Sequence, residues 1–375
     1  MNPLSRRAML LGALPGAAPG VLSAAVPGAL CGALLGAVPQ RAQAAAAQAP
    51  RALVFPRDHG AHPQQRTEWW YITGHGRAGA REFGYQLTFF RTRVDATQSL
   101  RSRFAARQLI FAHAAITDVQ GRRLWHDQRI AREGFDIARA SQEDTVLALR
   151  DWSLVREGDV YKAVLPAQGF GLALQFQPTQ PLLAQGEQGL SRKGPEAAQA
   201  SYYYSVPQLQ ASGRITLGGA GFELAGKAWL DHEWSEALLH PTAVGWDWIG
   251  MNLDDGSALT AFRLRDRTAQ ALWDGGSFRA AGAQARIFRR GETVFEPQRY
   301  WQSPLSQARY PVEWRVRTPT GAYTARAVID DQELDSRAST GAIYWEGLSD
   351  LFDSQGRRVG RGYLEMTGYA GALRL

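Results

Sequence analysis

The 375-residue chain contains a single cysteine, Cys31, and it lies inside an N-terminal apolar stretch. An intrachain disulfide is excluded, so the stability of the protein must come from burial. The seven histidines are scattered without metal-ligand spacing, and no cysteine stands near them. No metal or cofactor is implied. A Gly-x-Ser-x-Gly elbow, a phosphate loop and a dinucleotide fingerprint are all missing. Their absence argues against hydrolase, kinase and dehydrogenase chemistry. No basic run interleaved with aromatics occurs, which argues against nucleic acid. Apolar residues at i, i+3, i+4 spacing are scarce, so few helices are expected.

What is present begins with Arg6-Arg7, placed directly before a stretch from residue 8 to residue 40 without a charge. That arrangement is the twin-arginine export address. Four prolines and many Gly and Ala make the stretch weakly hydrophobic, and Ala42-Gln43-Ala44 has the form of a cleavage site. Residues 1–44 therefore read as a signal peptide and the protein as periplasmic, although the stretch is long enough to serve as a retained anchor. Cleavage removes three arginines and no acid, and the net charge falls from +7 to +4.

The remainder alternates with period two, which predicts strands. Phe83, Tyr85, Leu87 and Phe89 form one apolar face; Phe222, Leu224, Leu230, His232 and Trp234 form another. Gly-rich turns separate such runs, and many short strands divided by turns predict sandwiches or closed barrels. Residues 195–200 and the Asp335-Ser336 pair are candidate starts of short helices. A Gln-, Pro- and Gly-rich stretch at 177–199 reads as a linker or long loop, and His240-Pro241 marks a second break. His59 and His62 are expected at the surface of an N-terminal loop.

Candidate chemistry lies where polar groups fall on apolar faces. His232 shares its face with Leu230 and Trp234 and is either a hydrogen-bonded core residue or part of a site. Asp247 shares its face with Ile249, Met251 and Leu253. Burial would keep it protonated, as a general acid requires, whereas an arginine such as Arg263 or Arg265 would make it structural. Aromatic-rich segments around Trp70, Tyr71, Tyr85, His113, Trp246, Trp248, Tyr344 and Glu346 supply either packing or a ligand-binding wall.

Taken in order, Thr67-Glu68-Trp69-Trp70-Tyr71, Gly84-Tyr85-Gln86-Leu87-Thr88-Phe89-Phe90-Arg91, His113-Ala114-Ala115, Trp229-Leu230-Asp231-His232-Glu233-Trp234, Gly245-Trp246-Asp247-Trp248 and Tyr344-Trp345-Glu346-Gly347 resemble the AttH-like, carotenoid 1,2-hydratase (hydroxyneurosporene synthase) family. The resemblance implies an all-β protein of two tandem lipocalin-like barrels, residues 45–238 and 239–375, with 177–199 an excursion of the first. It also implies a hydro-lyase or cyclase acting on an isoprenoid double bond. Asp247, His232 and Trp234 would be the catalytic candidates. The competing class is a non-catalytic carrier of a hydrophobic ligand, with membrane or transporter association.

Overall fold

Alternating apolar residues separated by glycine-bearing turns make strands in nearly every segment of the computed structural model, which describes residues 51–237 and 239–373. The expected signal peptide lies outside the described residues. Among the described residues the helical elements are two 3-10 turns, Arg57–His59 and Asp95–Thr97. Residues 195–199 form bends and a turn rather than a helix, and Ala200 opens a strand. Asp335 and Ser336 end a strand, because their pairing with Ile343 and Ala342 outweighs the capping signal.

The first sheet uses β1 (Thr67–Ala78), β2 (Arg81–Arg93), β3 (Gln108–Asp118), β4 (Arg123–Arg132), β5 (Ala138–Ala140), β6 (Val146–Leu149), β7 (Trp152–Glu157), β8 (Val160–Ala167), β9 (Phe170–Gln177), β10 (Leu183–Ala184), β11 (Leu190–Arg192), β12 (Ala200–Leu217) and β13 (Ala220–Ser235). Its order is β4-β3-β2-β1-β13-β12-β9-β8-β7-β6-β5, and β10 and β11 also pair with β12. The sheet coils into a nearly closed barrel, with β4 returning toward β6. The 177–199 stretch is therefore part of the first barrel, held by β10 and β11.

The second sheet uses β14 (Gly245–Leu253), β15 (Ala258–Arg265), β16 (Ala271–Arg279), β17 (Arg286–Phe288), β18 (Val294–Gln302), β19 (Arg309–Thr318), β20 (Gly321–Ala327), β21 (Glu333–Ser336), β22 (Ala342–Phe352) and β23 (Arg358–Met366). Its order is β17-β16-β15-β14-β23-β22-β20-β19-β18, with β21 on β22. The fold is all-β, two lipocalin-like barrels in tandem. The first ends at Ser235 and the second begins at Gly245, and the described residues pack as one compact unit.

Each barrel has its own core. Phe83, Tyr85, Leu87 and Phe89 all point into the first, with Trp70, Leu230 and Trp234. Ile249, Met251, Trp314, Trp345 and Leu364 fill the second. A third cluster, including Tyr71, Trp229, Trp248, Phe262, Leu348 and Tyr363, lies between the sheets. The opposite faces of β1, β2 and β13 are thus covered by the second barrel instead of water. At Gly84 the two sheets approach closely: a Cβ there would lie 2.8 Å from the Tyr363 hydroxyl and 3.0 Å from the Leu348 Cβ.

Candidate functional site

A cavity of about 290 Å³ opens between the barrels. The outward side chains of the first sheet form one wall: Trp69 and Tyr71 of β1, Phe90 of β2, His113 of β3, Tyr203 of β12, and Asp231 and Glu233 of β13. Trp246 and Trp248 of β14, Phe262 of β15, Tyr344 and Glu346 of β22 and Glu365 of β23 form the other. Strand alternation explains both sets, since each residue sits two positions from the next on the same face. Nine Phe, Trp and Tyr rings line the cavity and its surface is mainly apolar, as in ligand pockets between domains.

Four carboxyls, Asp231, Glu233, Glu346 and Glu365, stand on the cavity wall. Asp231 accepts hydrogen bonds from the Tyr203 hydroxyl (2.8 Å), Ser205 Oγ (2.5 Å) and Trp229 Nε1 (2.7 Å). Burial outweighs those three donors and pushes Asp231 up to about 7. Glu346 and Glu365 face each other across β22 and β23. Burial, followed by the charge of Glu365, raises Glu346 well above the usual carboxylate range. Burial likewise pushes Glu365 up to about 7, against a hydrogen bond from Trp246. Two carboxyls so placed cannot both ionise cheaply, so the pair retains a proton near neutral pH. The Tyr71 hydroxyl and Glu346 are buried against each other, and the Tyr71 hydroxyl opposes part of the rise at Glu346. Glu233 is different: Lys193 Nζ lies 3.0 Å away and Ser201 Oγ donates to it. Lys193 also sits over Phe262, 4.2 Å from the ring centroid.

The raised acids make stability pH-dependent. A carboxyl whose folded pKa lies above its unfolded value stabilises the fold when protonated. For Asp231 that contribution is complete below its ordinary value of 3.8 and is lost as pH rises through about 7. Asp231→Asn should therefore flatten the decline in thermal stability between pH 4 and pH 8, which pH-dependent melting measures. An unchanged decline would show that Asp231 is already ionised.

A polar chain ties the barrels together at one end of the cavity. Gln128 Nε2 donates to the Asp335 carbonyl (2.6 Å), which turns its Oε1 toward Ser339 Oγ, 2.6 Å away. Ser339 then accepts from His113 Nε2 (2.8 Å), and His113 Nδ1 accepts from the Tyr344 hydroxyl (2.8 Å). Burial lowers His113 to about 3, so it remains neutral and this tautomer orients Tyr344.

Of the eight binding candidates, Tyr71, His113, Trp246, Trp248, Tyr344 and Glu346 line the cavity. Trp70 and Tyr85 do not. Both are in the first barrel's core, where Trp70 Nε1 donates to the His59 carbonyl and the Tyr85 hydroxyl to the Lys227 carbonyl. The three catalytic candidates also lie off the cavity. His232 and Trp234 point inward as the alternation indicates, but that interior is filled. Trp234 stacks on His62 at 3.8 Å, and His232 stacks on Trp70 at 4.5 Å. Asp247 is fully buried beside Arg263 Nε (2.7 Å) and Arg265 Nε (3.4 Å) and accepts from the Tyr369 hydroxyl (2.8 Å). The arginine-paired alternative is the one observed, because β15 runs beside β14 and places Arg263 directly opposite Asp247.

His59 and His62 are buried, contrary to the surface expectation. Their loop folds over the end of the first barrel, where Glu68 collects polar groups. Glu68 accepts from His62 Nδ1 (2.7 Å), His232 Nε2 (2.9 Å) and Arg91 Nε (2.8 Å). Burial opposes ionisation of Glu68, yet its bonds to His232 and His62 and the Arg91 charge hold it well below the usual range. One ligand atom from each of His62, Glu68 and His232 lies within 4.8 Å of the others, close enough to surround a cation. Arg91 already supplies the positive charge there.

Sequence reasoning did not select Asp231, Glu233, Tyr203 or Glu365 as site residues. A usable signal existed in β13, where Trp229, Asp231 and Glu233 alternate with the apolar inward residues. A face carrying both tryptophan and carboxylates suits a covered surface better than open water.

Two lipocalin-like barrels with an aromatic, carboxyl-bearing cavity between them define a class of double-barrel β-proteins. Within that class the chain belongs to the AttH-like family, whose family model matches residues 46–369. The chain is 47% identical to a Nitrosomonas europaea protein assigned as an AttH, with a TM-score of 0.81 over 86% of this chain and 99% of that one. Kievitone hydratase from Nectria haematococca has the same fold at 12% identity, with a TM-score of 0.67 over 86% and 94% of the two chains. CghA matches at 13% identity and a TM-score of 0.54 over 87% and 96%. Among curated proteins, none matches.

Proposed function

We propose that the cavity between the barrels binds an apolar, isoprenoid-like molecule and adds water across one of its double bonds or closes a ring there. The Glu346–Glu365 pair, buried and proton-retaining on an aromatic wall, carries this reading. Glu346 donates its proton to one alkene carbon, and the π electrons form the new C–H bond. The neighbouring carbon becomes a cation, facing Trp69, Trp246, Trp248 and Phe262, whose ring faces stabilise positive charge. A water oxygen bonds to that carbon, and its surplus proton returns to the carboxylate, so the net change is addition of one water. In cyclisation a second double bond replaces the water, and a neighbouring C–H returns the proton, so the net change is isomerisation. No cofactor takes part.

The fold shared with a protein named as a hydratase supports the reaction type. The protein's place of action is proposed to be the periplasm, on the strength of Arg6-Arg7 and the uncharged stretch that follows. Lysine at both positions should leave precursor in the cytoplasm; normal export of that variant counts against it.

The direct test is incubation of the purified protein with isoprenoid alcohols in isotopically labelled water, followed by mass spectrometry. Uptake of one labelled oxygen supports hydration, and an isomer of unchanged mass supports cyclisation. Saturable binding without either product supports the carrier instead.

A further inference from the structure

A second cavity, of about 720 Å³, lies beside the first and shares Tyr203 and Phe262 with it as walls. Arg192, Arg289 and Arg290 line this second cavity around Trp273. The guanidinium carbon of Arg290 lies 5.0 Å from the Trp273 ring centroid, and that of Arg192 lies 5.7 Å away. Among the described residues none of the three arginines forms an ion pair. Arg192 spends Nη2 on the carbonyls of Gly194 (3.1 Å) and Pro195 (2.8 Å), and its buried Nε has no hydrogen-bond partner.

The two acids on the wall do not neutralise these charges. Asp274 accepts from the backbone N–H of Gly291 (2.8 and 2.9 Å) and of Thr293 (3.0 Å), which locks the turn that presents Arg289 and Arg290. Glu187 is exposed and engages no arginine. Two guanidinium groups held at one indole repel each other until an anion lies between them. Planar guanidinium donors match the oxygens of a carboxylate or phosphate in paired fashion.

We propose that this cavity is the head-group subsite for the ligand of the first, and that the ligand is an anionic amphiphile. Its oxyanion lies among Arg192, Arg289 and Arg290, and its apolar chain passes Tyr203 and Phe262 into the aromatic cavity. The inference rests on the reading of that cavity as an apolar binding site. Tyr203 links the two regions, because its hydroxyl bonds Asp231 while the residue walls both cavities.

Calorimetric titration of the mature protein with dodecanoate, dodecyl phosphate and dodecanol tests both readings separately. Dodecanol reports the apolar cavity alone. The anionic probes should bind about tenfold tighter than dodecanol, as expected for charge-assisted pairs. Arg289→Gln with Arg290→Gln, two exposed turn positions, should remove that advantage and leave dodecanol unchanged; Arg192→Gln should act the same way. Equal binding of all three probes, or an anionic preference that survives the arginine substitutions, overturns the subsite while the apolar cavity stands. Arginine-dependent anion binding without dodecanol binding keeps the subsite and overturns the apolar cavity. Failure of every probe overturns both.

Discussion

Glu346→Gln is expected to lower turnover by about 10²–10⁴-fold, the usual contribution of a positioned proton donor. The amide keeps the shape and can still hydrogen-bond, so ligand affinity should change little, and the loss should fall on kcat instead of KM. The residue is 3% exposed and its polar neighbour is the Tyr71 hydroxyl, so no structural ion pair is broken by the change. Glu365 should keep its raised pKa in this variant, because burial, followed by the charges of Asp231 and Glu233, is what holds its proton. A glutamine variant with normal turnover would assign the proton to Glu365 or Asp231, both pushed up to about 7, and the amide variant of one of them would then carry the defect.

The largest effect on stability is expected at Arg91. The Arg91 and Glu68 side chains are both fully buried, and Arg91 also donates to Gln108 Oε1 (2.7 Å) and the Gln65 carbonyl (2.9 Å). Arg91→Met would leave the Glu68 charge in a dry site with only histidines to meet it. Breaking one side of a buried pair costs about 3–5 kcal/mol, which urea denaturation would show as a lower midpoint. Glu68→Gln in the same background should recover part of the loss, since the stranded charge is then gone. A loss below about 1 kcal/mol would mean that water reaches Glu68.

Local alternation was enough to identify the strands and the inward faces. Phe83 through Phe89 and Leu230 through Trp234 point where period two places them. Alternation says nothing of what covers the opposite faces: a single antiparallel sheet leaves one face to water, and here a second barrel covers it. That covering surface is a long-range contact between strands more than a hundred residues apart, such as β3 and β22, joined by His113 and Tyr344. Asp247 shows a related limit. A carboxyl on an apolar strand face has two outcomes, and the neighbour that decides between them is set by pairing with β15. Glu365 is hidden for a further reason: it becomes unusual only opposite Glu346, and only in a dry cavity. Six of the eight residues named from the aromatic segments line the cavity, but the motifs did not distinguish Trp69 from Trp70 or Asp231 from His232.

The central claim is that the ligand lies between the barrels and not within either one. Photo-crosslinking with a diazirine-bearing isoprenoid alcohol, followed by peptide mapping, tests it most directly. Adducts on Trp246, Trp248 or Phe262, lost when unlabelled alcohol competes, are the predicted result. Competable adducts confined to Trp70 and Tyr85, deep in the first barrel, would contradict it.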